Sequence, residues 1–285
     1  MNSTETPGRV VVGVDGSASS RRAVSWACRE ALRLQRPLHL LHTRDGSTPP
    51  DAAEQTLTEA VATARTLTRG VEVTSATAVG SAAAALVEAS AAAHTLVVGA
   101  RGRGAVMTAY LGTVSTQVTM HAHCPVVVVK DGTSDEEPGA GTGAGVVVGV
   151  DGSPGSQACL AFAFEQASSR GSGIRVVHAW PFERSKGSAA VVDAISPRHE
   201  LEPQHRQIVQ DAMAGWDEKY PDVEVGVSVV HARAADALLA HADGAHLLVV
   251  GGRGRGGFAG LLLGSVSQVV LQRADCPVAV VRGRR

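Results

Sequence analysis

The strongest constraint on this chain is that it contains itself twice. Residues 9–17, RVVVGVDGS, recur at 145–153 as GVVVGVDGS, and residues 95–104, TLVVGARGRG, recur at 247–256 as LLVVGGRGRG. A repeat on this scale marks one structural unit used twice, and 285 residues suit two domains of ordinary size. The register between copies is 136 residues at Asp15 and Asp151 but 152 at Gly99 and Gly251, so the second copy carries 16 extra residues. Pro181–Pro203, with three prolines and mixed charge, is the natural place for them. The stretch 131–145, DGTSDEEPGAGTGAG, is acidic, Gly-rich and without apolar periodicity, and reads as a linker between domains at 1–130 and 146–285.

Within each half, short Val-rich runs alternate with longer Ala-rich or amphipathic segments, the pattern of parallel strands joined by crossover helices. The first half predicts strands near 9–14, 37–42, 71–79, 95–99 and 125–130, with helices near 18–35, 52–69, 81–93 and 113–123. The second repeats the order, with strands near 146–150, 173–179, 223–231, 247–251 and 277–282. The fold class is therefore α/β, two tandem doubly wound parallel sheets of five strands each. Ligands of such sheets sit at the carboxyl ends of the strands, where strand order reverses.

Composition removes several classes of function. The net charge of −1 and 3% aromatic content leave neither a basic stripe nor stacking platforms for nucleic acid. No uncharged apolar run approaches the ~18 residues of a membrane helix, and the N-terminus MNSTETPGR has no apolar stretch, so a soluble cytoplasmic protein is expected. Cys28, Cys124, Cys159 and Cys276 are widely spaced and read as reduced, buried thiols.

Each first strand ends in VGVDGS, placing Asp15 or Asp151 just past it. The simplest explanation is a turn at Gly16 or Gly152 and a helix cap. The stronger signal follows the fourth strand. Gly99-Ala-Arg-Gly102, nine residues and Gly112-Thr113 match Gly251-Gly-Arg-Gly254, nine residues and Gly264-Ser265. Glycines there let main-chain amides approach a ligand, and the helix that follows opens with unpaired amides that favour an anion. Arg101, Arg103, Arg253 and Arg255 add charge for phosphate. The competing explanation is a solvated Arg/Gly turn, which one spacing seen twice disfavours. A Walker A loop is absent, as is G-x-G-x-x-G after a first strand.

With these motifs, LLHT (40–43) and VVHA (176–179) at both second strands and CPV at both fifth strands, the chain resembles a tandem universal stress protein of the ATP-binding type over nearly its whole length. The resemblance implies an adenine nucleotide α-hydrolase-like sheet, order 3-2-1-4-5, with Asp15 and the Gly99 loop flanking one cleft. It implies that Gly13, Val14 and Asp15 line the adenine and ribose end and that the backbone of Thr43 meets the adenine edge. Gly99, Gly102, Gly112 and Thr113 then hold ribose and phosphates, with Val114 and Ser115 in the same helix turn. The matching set is Gly149, Val150, Asp151, Ala179, Gly251, Gly254, Gly264, Ser265, Val266 and Ser267. ATP is the implied ligand. Mg²⁺ is a plausible companion, since a carboxylate repels phosphate unless a cation intervenes. His94 and His246 stand where the family commonly has Asp, and Gly80 of one half is matched by Ala232 of the other, so the two sites need not be equal.

His121-x-His123 is read as a helix-end feature and not a metal site, and His42 and His178 as structural. The fifth strands, Val126–Lys130 and Val278–Arg282, are apolar edges that need a partner. Pairing them makes an intrachain pseudo-dimer, as the resemblance also implies, and a homodimer of whole chains is compatible with it. The expected function is nucleotide-dependent regulation of a stress response through an unidentified protein partner, without strong catalysis. A weak ATPase or nucleotidyl transferase in the same cleft is the rival from another class, and a nucleotide-free interaction module is a third.

Overall fold

In the computed structural model, residues 8–44, 49–102, 111–130, 145–180, 198–254 and 262–283 are described. The expected Arg103 and Arg255, the linker apart from Gly145, and residues 181–197 of the expected insertion lie outside them. The first half runs β1 (Arg9–Val14), α1 (Ala18–Leu34), β2 (Leu38–Arg44), α2 (Pro50–Leu67), β3 (Val73–Val79), α3 (Ala82–Ala89), β4 (Ala93–Gly99), α4 (Thr113–His121) and β5 (Val126–Val129). The second runs β6 (Val146–Gly149), α5 (Pro154–Arg170), β7 (Ile174–Trp180), α6 (Arg198–Met213), α7 (Trp216–Lys219), β8 (Val225–His231), α8 (Ala234–His241), β9 (Leu247–Gly251), α9 (Ser265–Arg273) and β10 (Val278–Val281).

The ten described strands form one sheet in the order β3-β2-β1-β4-β5-β10-β9-β6-β7-β8. Each half is parallel and has the order 3-2-1-4-5 within itself. The halves join where β5 and β10 pair antiparallel, Val128 beside Val278 and Val126 beside Val280. The central strands are near-continuous Val and Leu because helices cover both faces. Val10, Val11, Val12, Val127, Val147 and Leu248 are wholly buried. One helical layer, α1, α2, α5 and α6, closes over Val10, Val12, Val127 and Leu247. The other, α3, α4, α8 and α9, closes over Val11, Val128, Val147 and Leu248. The outer edges β3 and β8 are more exposed, with Val79 at 70% and Val227 at 51%.

Helix α3 is shorter than the expected 81–93. Ser81 caps its start by accepting from the Ala84 amide, and the helix stops at Ala89 because Ala93 already pairs with Arg9 in the sheet. The Ala run SAAA (90–93) carries no Gly or Pro to mark that stop. The second half has an extra one-turn helix, α7, whose Trp216 stacks on Phe164 at 5.2 Å. The carboxyl end of the expected insertion is helical, with Pro203 inside α6.

The halves also meet through helices. Glu30 of α1 is fully buried and ion-pairs with Arg170 of α5 at 3.0 Å, while accepting from Gln166 of α5. Lys130, just past β5, donates to the last carbonyls of α9, Leu271 at 2.6 Å and Gln272 at 3.1 Å. That is the favourable charge for a helix carboxyl end.

Candidate functional site

Two clefts open at the carboxyl ends of β1 and β4 and of β6 and β9, the points where chain order reverses in each half. The first encloses about 470 Å³ and the second about 530 Å³, within the range of small-molecule and cofactor sites.

In the first cleft Gly16 turns the chain with φ 77°, which a side chain rarely tolerates. Asp15 Oδ1 accepts from the Ser17 amide at 2.9 Å, and Ser17 caps α1 by accepting from the Ser20 amide. The turn-and-cap explanation of Asp15 therefore accounts for one carboxylate oxygen. The other, Oδ2, faces Gly102, where a Cβ would lie 2.7 Å from it. Gly99 is held against α1, since a Cβ there would stand 2.7 Å from the Ser19 carbonyl carbon.

Helix α4 starts at Gly112, which has no side chain to cap it, so the amides of Thr113, Val114 and Ser115 open the helix without intrahelical partners. Gly112 donates to the Ala100 carbonyl at 2.8 Å, and Ser115 Oγ donates to the Gly99 carbonyl at 2.7 Å, so the loop's two ends are stitched together. The second cleft repeats these devices. Gly264 donates to Gly252 at 2.8 Å, Ser267 Oγ to Gly251 at 2.5 Å, and a Cβ on Gly254 would lie 2.7 Å from Asp151 Oδ2.

Every expected site residue within the described chain lines its cleft: the Gly13–Asp15 segment, Thr43, Gly99, Arg101, Gly102 and Gly112–Ser115 in the first. Gly149–Asp151, Ala179, Gly251, Arg253, Gly254 and Gly264–Ser267 line the second. The sequence reading missed the apolar walls, Leu41 and Leu86 against Val177 and Leu238. A signal was present. Leu86 and Leu238 share the 152-residue register, and a Cβ on Gly13 or Gly149 would meet them at 3.2 or 3.1 Å.

His42 and His178 brace the floor from the opposite face of the sheet. Their Nδ1 atoms donate to the carbonyls of Val14 at 2.6 Å and Val150 at 2.8 Å, just ahead of each Asp. His178 Nε2 shares a hydrogen bond with Nδ1 of His205 in α6 at 2.9 Å, and Trp180 lies between His205 and His231 at 4.7 and 4.0 Å. Among the described residues no cluster of three metal-ligating side chains occurs, and His121 Nδ1 bonds the Gln117 carbonyl of its own helix.

The family model for the universal stress proteins matches twice, at residues 7–130 and 145–282. This chain belongs to the universal stress protein family. It is a tandem member. A universal stress protein of Mycolicibacterium smegmatis is 37% identical over 294 residues, covering 96% of this chain and 97% of that one. A universal stress protein of Mycobacterium tuberculosis is 36% identical over 293 residues, covering 96% of each. The crystal structure of a universal stress protein from Archaeoglobus fulgidus superposes with a TM-score of 0.73 at 19% identity, over 97% of this chain and 99% of that one. That likeness places the two-half architecture within the universal stress protein fold. No described helix is long and apolar enough to cross a membrane.

Proposed function

We propose that this family member binds ATP in both clefts, with Mg²⁺ accompanying the triphosphate, and acts as a nucleotide-dependent regulator of a stress response, without strong catalysis. The observation that carries this reading is the repeated cradle. In each cleft an uncapped helix start, preceded by a glycine-bearing loop in which a Cβ on Gly102 or Gly254 would lie 2.7 Å from the Asp carboxylate, faces an apolar wall.

Each part suits one part of the ligand. The amides of Thr113–Ser115 and Ser265–Ser267 carry the partial positive charge of a helix start and suit phosphate. Arg101 and Arg253 add charge-assisted donors. Leu41 with Leu86, and Val177 with Leu238, offer apolar surface to a base, and the main chain at Thr43 or Ala179 offers hydrogen bonds to its edge. Asp15 and Asp151 suit ribose hydroxyls, which donate to a carboxylate.

Binding is favoured over turnover because, among the described residues, Asp15 is the only acidic or His side chain lining the first cleft, and Asp151 the only one lining the second. Each already accepts from a main-chain amide through Oδ1. A cytoplasmic protein that presents different surfaces to a protein partner with and without nucleotide fits this reading.

Native mass spectrometry of freshly purified protein tests it. Mass increments of one and two adenine nucleotides are expected, with uptake on titration. Absence of both would leave an interaction module without nucleotide. Sustained release of ADP or AMP, abolished in the Asp15→Ala/Asp151→Ala chain, would make the protein an enzyme instead.

A further inference from the structure

The two clefts differ beneath the phosphate loop. Ser19 and Gly155 occupy equivalent places, 136 residues apart, in the first turns of α1 and α5. Ser19 is 4% exposed, and its Oγ accepts from the main-chain amide of Arg101 at 3.3 Å. Ser17 Oγ adds a bond to the Arg101 carbonyl at 3.4 Å. Both main-chain groups of Arg101 are thereby tied to the start of α1.

The second cleft has neither tie. Gly155 has no hydroxyl, and among the described residues neither the Arg253 amide nor Ser153 Oγ makes the corresponding bond. The floor is lined differently: Ser153, Gly155 and Cys159 line the second cleft, whereas Ser17, Ser19 and Ala23 do not line the first.

We propose that the clefts are graded, the second being the high-affinity site for a nucleoside triphosphate and the first the low-affinity site, with Ser19 and Gly155 setting the order. In the second cleft the Arg253 amide donates directly to an anionic oxygen. In the first, the same donor must leave Ser19 before it can do so, and the ligand gains only the difference between two acceptors. At low nucleotide the chain is then half-loaded, and full loading reports a higher concentration. The inference rests on the nucleotide reading of both clefts.

Calorimetric titration of the full chain with ATP and Mg²⁺ tests it, alongside Ser19→Gly and Gly155→Ser. Gly155 tolerates the change, because its φ is not positive and a Cβ there would meet only Ser153 Oγ at 3.5 Å and the Arg253 carbonyl oxygen at 4.0 Å. The wild type is expected to show two binding steps about tenfold or more apart. Ser19→Gly should bring both steps to the tighter value and Gly155→Ser both to the weaker, with melting temperatures near that of the wild type. Should one variant fold poorly, the other decides. Two identical steps in the wild type, or unequal steps that neither exchange moves, overturn the grading while leaving nucleotide binding intact. No binding in any of the three chains overturns the nucleotide reading, and the grading with it.

Discussion

The carboxylate of Asp15 lies so close over Gly102 that a Cβ on the glycine would sit 2.7 Å from Oδ2, and Asp151 stands in the same relation to Gly254. These pairs join the first and fourth strands of each half across the cleft, which explains why Asp and Gly recur together in both copies. The smallest side chain at Gly102 displaces the carboxylate before it reaches any ligand. Gly102→Ala should therefore weaken ATP binding at the first cleft about tenfold, with little change in the melting temperature of the free protein. Asp15→Ala should weaken it too, and the double variant should be no worse than Asp15→Ala alone, because the clash has been removed. Additive losses in this double-mutant cycle, measured by titration, would show that the two residues act separately.

Glu30 and Gln166 occupy equivalent positions in α1 and α5 and bond each other across the junction of the halves, with Arg170 completing the pair. Two identical halves would have placed two carboxylates there. Gln166→Glu should restore that conflict and destabilise the chain by about 2 kcal/mol or more at neutral pH. Burial and the charge of Glu30 both disfavour the ionised form of the new carboxyl, so the penalty is expected to fade as pH falls and the carboxyl is protonated. Urea unfolding at pH 7 and pH 5 checks this. Equal stability to the wild type at pH 7 would mean that Arg170 alone satisfies both groups.

Glu165 of α5 reaches back to the first half, to His94 at 3.0 Å and Arg36 at 3.8 Å. Burial by itself would raise its pKa. The hydrogen bond and charge of His94, with Arg36 and Lys219, outweigh that and hold it below the ordinary 4.5. A depressed folded pKa contributes stability that is present above the unfolded value and lost as pH falls through the folded one. Acid unfolding of Glu165→Gln should accordingly be less steep below about pH 4.5 than that of the wild type, and its stability at pH 7 lower. Parallel acid limbs would remove Glu165 from the linkage.

Much of this architecture was legible because strands buried on both faces are written as Val runs and because the copy repeats them. Val10–Val12, Val126–Val129 and Val146–Val148 announced their strands without help from tertiary context. The glycines of the loops after β4 and β9 were legible for a related reason: close main-chain approach leaves glycine as the mark of its own constraint. What stayed hidden depends on partners far along the chain. Glu30 gives no sign that Gln166 and Arg170 face it, and Ser19 gives none that it lies under Arg101, because periodicity reports which face is buried and not against what. Both positions are mismatches between the copies at the 136-residue register, Glu30/Gln166 and Ser19/Gly155.

Burial pushes the thiols of Cys28, Cys124, Cys159 and Cys276 up to about 12. At pH 8 only about one thiol in ten thousand is then the reactive thiolate. A disulfide reagent should leave all four unmodified in the native protein over minutes and titrate four in denaturant. Rapid native labelling of Cys159 would show that the floor of the second cleft opens to solvent.

Counting bound nucleotide per chain by equilibrium dialysis against labelled ATP, with Mg²⁺ in excess, bears on both cradles at once. Saturation near two molecules per chain is expected, falling to one when Gly264→Trp fills the start of α9. Uptake no greater than that of a control protein, at millimolar ATP, would contradict it.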